Sequence, residues 1–230
     1  MTENAQVKGS RTFPVAVLLT LAGGYLDAYT YSSRGGVFAN AQTGNIVKFG
    51  IALANSNFTR CIQLLVPITA FVIGILAALV IETYFLKKEI HFIRRMVLIM
   101  EMTVMVISAL LPQSEIGNML ANTMISFVCA MQMEAFKTFA GQPFATTVST
   151  GNLRKFIEFL YQGCVEHDNG KLKIALMYLT IVIIFITGAL IGTLITDAYG
   201  LHSVAVPAVL LGICFVIITW KRIASLNMEK

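Results

Sequence analysis

Asp27-Ala28-Tyr29-Thr30-Tyr31-Ser32-Ser33-Arg34-Gly35-Gly36-Val37-Phe38-Ala39-Asn40-Ala41-Gln42-Thr43-Gly44-Asn45-Ile46-Val47-Lys48-Phe49 decides the fold, because Glu134 to Phe156 repeats it at a constant offset without a gap. Asp27-Ala28-Tyr29 aligns with Glu134-Ala135-Phe136, Thr43-Gly44-Asn45-Ile46 with Thr150-Gly151-Asn152-Leu153, and Lys48-Phe49 with Lys155-Phe156. In each copy a carboxylate stands toward the end of an apolar run. A glycine-punctuated stretch unsuited to helix follows, and then a Thr-Gly-Asn able to open a short helix. The two copies read as the halves of one site.

Composition places that site in a bilayer. Of 230 residues, 57% are hydrophobic and 13% charged, and the mean hydropathy is +0.76, which is not the make-up of a soluble globule. The formal charge of +5 does not signal a nucleic-acid partner. Lys and Arg fall between apolar runs, and no basic patch is interleaved with aromatics. Cys61, Cys129, Cys164 and Cys214 are scattered, and His91, His167 and His202 fall in predicted loops. No metal-ligand spacing, nucleophile motif or cofactor fingerprint is spelled, so no catalytic residue, metal or cofactor is expected.

Working outward, Phe13–Tyr31 reads as a first span rather than a leader, since it is long enough to cross and carries Asp27. Ser32–Gln42 reads as a turn and a short extended piece, and Thr43 to Asn55 as a half-helix too short for a hydrocarbon core of about 30 Å. Cys61–Leu86, Met96–Leu111, Met119–Phe139, Ile174–Thr196 and Val204–Trp220 complete six spans, with a second interruption at Gly141-Gln142-Pro143-Phe144 and a second half-helix from Thr150. Gly74 and Ala78, and likewise Gly188 and Gly192, give four-residue spacings that let backbones approach closely. They sit within Phe71-x-x-Gly74 and Phe185-x-x-Gly188, which extends the repeat beyond the motif.

If the half-helices do not cross, fourteen Lys and Arg lie on one side and only Arg34, Lys48 and Arg60 on the other, which puts both termini in the cytoplasm. Three spans per repeat then make the repeats oppositely oriented. The expectation is an all-α integral membrane protein of six transmembrane helices, forming one membrane domain over residues 1–230. Its two inverted three-helix repeats occupy residues 13–112 and 119–221, each with an interrupted extended and half-helical segment. Non-helical backbone at membrane depth must line a cavity or be covered by protein.

Gly23-Gly24-Tyr25-Leu26-Asp27-Ala28-Tyr29-Thr30-Tyr31 and Gly36-Val37-Phe38-Ala39-Asn40-Ala41-Gln42-Thr43-Gly44-Asn45 resemble the YoaK family of small bacterial inner-membrane proteins, catalogued as a domain of unknown function. The resemblance covers essentially the whole chain and implies a multi-pass protein of the bacterial inner (plasma) membrane, but no substrate. A strand feeding a half-helix in each repeat is also similar to the core of uracil and sulfate transporters, although a separate gate domain is missing here.

The chemistry expected of the paired site follows from helix ends. A half-helix N-terminus at mid-bilayer offers free N–H groups and a positive dipole end. Thr43, Gly44, Asn45, Thr150, Gly151 and Asn152 are accordingly expected to bind a small polar or anionic solute. Asp27 and Glu134 are expected to carry a proton or ion, with Lys48 and Lys155 in secondary roles. The expected function is that of a secondary transporter or permease, open to proton coupling, with the lipid bilayer and the solute as partners and a homo-oligomer allowed. Structural alternatives stand beside it: Asp27 capping bent backbone or pairing with Lys48, Glu134 pairing with Lys137 or Lys155, and the Thr-Gly-Asn elements serving as helix starts. The rival function is a membrane scaffold or sensor that binds partner helices through Gly74/Ala78 and Gly188/Gly192. Glu101, about 9 Å into its span by helical rise, is expected to reach the interface.

Overall fold

The computed structural model describes residues 3–84, 90–139, 142–143 and 149–228, and the side chains of residues 13–84, 92–138 and 149–220. Eight α-helices run in chain order among the described residues: α1 Glu3–Ser33, α2 Gln42–Ala54, α3 Phe58–Tyr84, α4 Ile90–Leu110, α5 Glu115–Ala135, α6 Ser149–Val165, α7 Asn169–Tyr199 and α8 Ala205–Met228. A 3-10 turn, Gly200–Val204, joins α7 to α8. Helices α1, α3, α4, α5, α7 and α8 overlap the six expected spans with shifted ends; the expected span Met119–Phe139 stops being helical at Ala135, and residues 85–86 of the expected Cys61–Leu86 span lie outside the described residues. The second interruption is not purely irregular: Thr138–Phe139 (β1) and Gln142–Pro143 (β2) pair antiparallel, while the rest of Gly141–Phe144 lies outside the described residues. The extended piece expected over Val37–Gln42 forms no strand and is a bent chain held by side chains.

Among the described residues, three helical stretches are long and apolar enough to cross a membrane: Phe13–Ser33, Phe58–Tyr84, and Asn169–Trp220, which takes in α7, the 3-10 turn and α8. By contrast α2 has 13 residues and α6 has 17, so they reach only about 20 and 26 Å at 1.5 Å per residue.

The packing is ordered in pairs. α1 lies on α7 and α8, α5 lies on α3 and α4, α2 rests on α3, α6 rests on α7, and α4 packs against α8. Exchanging α1–α4 with α5–α8 turns these pairs into one another. The close crossings depend on glycine. A Cβ at Gly74 would fall within 3 Å of the Phe127 carbonyl on α5, and one at Gly188 or Gly192 within 3 Å of the Leu21 or Tyr25 backbone on α1. These small-residue faces are therefore filled from within the chain.

The turns repeat as well. Ser56 and His167, each between a half-helix and the following long helix, both adopt φ 52, a left-handed conformation typical after a helix C-terminus but uncommon without glycine. An acceptor side chain follows each: Asn57 Oδ1 receives Arg60 N–H at 3.0 Å, and Asp168 Oδ1 receives Gly170 N–H at 2.7 Å. Leu19, Leu26 and Tyr29 of α1, Leu98 and Met105 of α4, Ile125 and Cys129 of α5, and Leu211 of α8 make the central core. The outer faces of α3 and α7 expose Val72, Leu76, Ile186 and Leu190 instead, as lipid-facing helices do.

Candidate functional site

The first half of the motif forms a compact polar structure around the start of α2. Asp27, in the last third of α1, is 4% exposed, and its Oδ1 accepts the N–H of Asn40 at 2.7 Å and of Ala41 at 3.4 Å. Thr30 Oγ1 accepts the N–H of Ala39 at 3.2 Å. Asn45, reaching back from α2, accepts the N–H of Phe38 at 2.9 Å and donates to its carbonyl at 2.7 Å. Four successive backbone N–H groups, Phe38 to Ala41, are thus each received by a side chain. That is what non-helical backbone away from water requires.

In this geometry the motif residues have partners within the chain. Ala41, not Thr43, occupies the N-cap position, and no side chain of its own caps the helix. The acceptor comes from another helix, as Asp27. Thr43 is exposed. Gly44 admits the ring of Phe38, which a Cβ would meet at 2.8 Å, rather than a ligand. The Asn45 amide is engaged with Phe38 and with Gln42 Oε1 at 2.9 Å. Lys48 does not pair with Asp27. Its ammonium donates to the Gly36 carbonyl at 2.8 Å and lies 4.1 and 4.4 Å from the ring centroids of Tyr31 and Phe38, which stack on each other. Asp27 in this conformation caps bent backbone, the first of the structural alternatives set beside its carrier role.

The second half differs. Glu134 is not sealed inside the bundle: its side chain is 18% exposed and pairs at 2.7 Å with Lys137, which also reaches Glu82 of α3 at 2.9 Å. Those two carboxylates, Glu134 foremost, raise the Lys137 ammonium above its usual range. A cavity of about 30 Å³ borders this cluster, room for about one water. Thr150 and Gly151 are exposed and Asn152 is buried, the same pattern as Thr43 and Asn45. Lys155 pairs with Glu158 at 3.0 Å. Residues 144–148, leading into α6, lie outside the described residues. α2 begins against α1, and its Gln42 reaches Ser126 of α5 at 3.5 Å, whereas α6 rests on α7. Among the described residues the two helices that open with Thr-Gly-Asn do not pack against each other as an extensive pair: α2 rests on α3 and α6 on α7.

The buried carboxyl on the far side of Asp27 is Glu101, not Glu134. Glu101 of α4 is fully buried, and neither carboxyl oxygen has a hydrogen-bond partner of ordinary geometry. It does not reach the interface as its depth had suggested, because its face of α4 is turned into the bundle. The Cys129 thiol of α5 lies beside both Glu101 and the Asn40 side chain, and Asn40 in turn flanks Asp27. Asp27 Oδ2 and Asn40 Oδ1 are buried without partners. A run of under-satisfied polar groups therefore crosses the core from α1 to α4. Buried orphans of this kind are costly and call for an explanation.

The model of the family described as "Protein of unknown function (DUF1275)" matches residues 15–217. The chain belongs to the DUF1275 family. That match takes in both Thr-Gly-Asn elements, Asp27, Glu101 and Glu134 of this DUF1275 protein. No curated protein and no solved structure matches it.

Proposed function

We propose that this DUF1275 protein is a six-span secondary transporter for a small polar or anionic solute, coupled to protons through Asp27. The observation that carries the reading is Asp27 itself: a buried carboxyl whose one oxygen holds the backbone at the start of α2, while the other has no partner. As a carboxylate it occupies the N–H groups that an anionic solute would use. Once protonated it is a weaker acceptor, and those N–H groups become available. Proton and solute then compete for one helix terminus, which is a minimal coupling device. Glu101 is the second carboxyl on the route, reached past Asn40 and Cys129. The Glu134–Lys137–Glu82 cluster is the corresponding feature of the other half, placed at the cytoplasmic edge.

In this reading α1, α3, α4, α5, α7 and α8 cross the bacterial inner membrane, α2 and α6 do not, and both termini are cytoplasmic. Supporting it are the exchangeable packing pairs, the repeated left-handed turns, the short lengths of α2 and α6, and the fourteen-to-three distribution of basic residues. The scaffold reading is weakened by the internal use of Gly74, Gly188 and Gly192.

The test is purified protein in liposomes with a trapped pH-sensitive dye, exposed to a panel of small carboxylates, inorganic anions and nucleobases. Wild type should give a solute-dependent lumenal pH change. Asp27→Asn, matched for reconstitution and melting temperature, should lose it at least tenfold. Retention of the full pH change by Asp27→Asn would refute the coupling role.

A further inference from the structure

A second polar site lies at the end of the bundle where α1 and α4 finish and α3 and α5 begin. A cavity of about 180 Å³ there is lined by Arg34, Arg60, Gln63, Glu115, Asn118 and Asn122, among others. At about 30 Å³ per water it holds roughly six waters, the space of a solute with a handful of heavy atoms.

Its wall is built, not incidental. Arg34 is fully buried and donates to the carbonyls of Ser108, Leu111 and Pro112, to Tyr29 Oη and to Asn118 Oδ1. The positive charge is thus balanced by the C-terminus of α4, where a cation is favoured, and no carboxylate is among these partners. Asn122 is 1% exposed. Its Nδ2 donates to the Arg34 carbonyl at 2.7 Å, which fixes the amide and leaves Oδ1 as a buried acceptor with no donor. Arg60 is anchored at 2.9 and 3.1 Å on the carbonyls of Gly35 and Gly36, which holds its guanidinium at the cavity. Glu115, in the first turn of α5, completes the lining.

Two guanidinium groups against one carboxylate make the cavity attractive to an anion. Yet the orphan Asn122 oxygen and Glu115 ask for a donor on the same molecule. We infer that this cavity binds small carboxylic acids bearing a hydrogen-bond donor beside the carboxylate, such as α-amino or α-hydroxy acids. The carboxylate faces Arg60, and the α-substituent faces Asn122 Oδ1 and Glu115. The inference deepens the transport reading by naming a substrate class, and it rests on that reading for the site being an outer vestibule, but binding is measured without any flux.

The experiment is ligand-induced thermal stabilisation of the full chain in detergent with alanine, lactate and propionate, three acids of the same skeleton that differ only in the α-substituent. Alanine and lactate should stabilise wild type at concentrations up to about 10 mM, a millimolar Kd corresponding to roughly −4 kcal/mol. Propionate should bind at least tenfold more weakly, since a site with an unpaired acceptor rejects the analogue lacking a donor. Glu115→Gln, on an exposed side chain, should weaken alanine at least threefold and leave lactate unchanged. Arg60→Gln should weaken both. Failure of all three acids to stabilise a folded wild type, or propionate binding as well as lactate, would overturn the inference. A result of that kind leaves the Asp27 flux test standing on its own. Conversely, binding here with no proton movement would remove the coupling claim and keep the site.

Discussion

At the residue scale, the lesson lies in Asn45 and Glu101. Asn45 read from the sequence as a ligand donor because it follows Thr43-Gly44 at a presumed helix start. Its amide is instead used on both backbone groups of Phe38, seven residues earlier. Local spacing could not reveal that bond, since it depends on how sharply the chain bends after Gly36. Asp27 stood out in the sequence, because a carboxylate in an apolar run is expensive anywhere in a membrane. The identity of its partners did not. Glu101 was undervalued because depth was judged by distance along the helix rather than by which face turns inward. Its two unpartnered oxygens give a prediction that opposes stability to function. Glu101→Leu, similar in volume and free of the desolvation penalty, should stabilise the folded chain by about 1 kcal/mol or more, read as a higher melting temperature in detergent. The same variant should lower solute-driven proton movement at least tenfold. A lower melting temperature with unchanged proton movement would show Glu101 to be structural.

At the element scale, the long helices were visible in composition and the half-helices in length, but their packing partners were not. The Gly74/Ala78 and Gly188/Gly192 pairs announced close approach without saying to what. The structure shows α3 on α5 and α7 on α1, with backbone in the space that a side chain would need. The turns at Ser56 and His167 were invisible, because neither residue type advertises a left-handed conformation. Gly188→Leu should separate α7 from α1 and sharply reduce the yield of folded monodisperse protein. Gly50→Ala, on the exposed face of α2 with nothing within 4 Å, should be neutral or stabilise by up to about 1 kcal/mol. Size-exclusion profiles and melting curves of the two variants check this, and equal behaviour would contradict the assigned crossing.

At the scale of the whole molecule, interchanging α1–α4 with α5–α8 carries the observed helix pairs into one another, alongside the sequence repeat of Asp27–Phe49 and Glu134–Phe156. It is a repeat in architecture more than in chemistry. Asp27 caps the start of α2 within the core, whereas Glu134 sits in an exposed ion-pair cluster with Lys137 and Glu82. The alignment predicted equivalence, and the burial differs because Asp27 is followed by a bend that folds back over it, while Glu134 lies at the final turn of α5 beside the end of α3. One half buries its acid at the start of α2, and the other holds it in an ion-pair cluster. The proposed transport reading depends on the two halves facing opposite ways in the bilayer. The direct measurement is single-cysteine labelling with a membrane-impermeant maleimide, in a background lacking Cys61, Cys129, Cys164 and Cys214. Asn57→Cys marks the connection between α2 and α3, and His167→Cys marks that between α6 and α7. The account predicts labelling of Asn57→Cys in intact cells and of His167→Cys only after the cytoplasmic face is exposed. Labelling of both from the same side would contradict it.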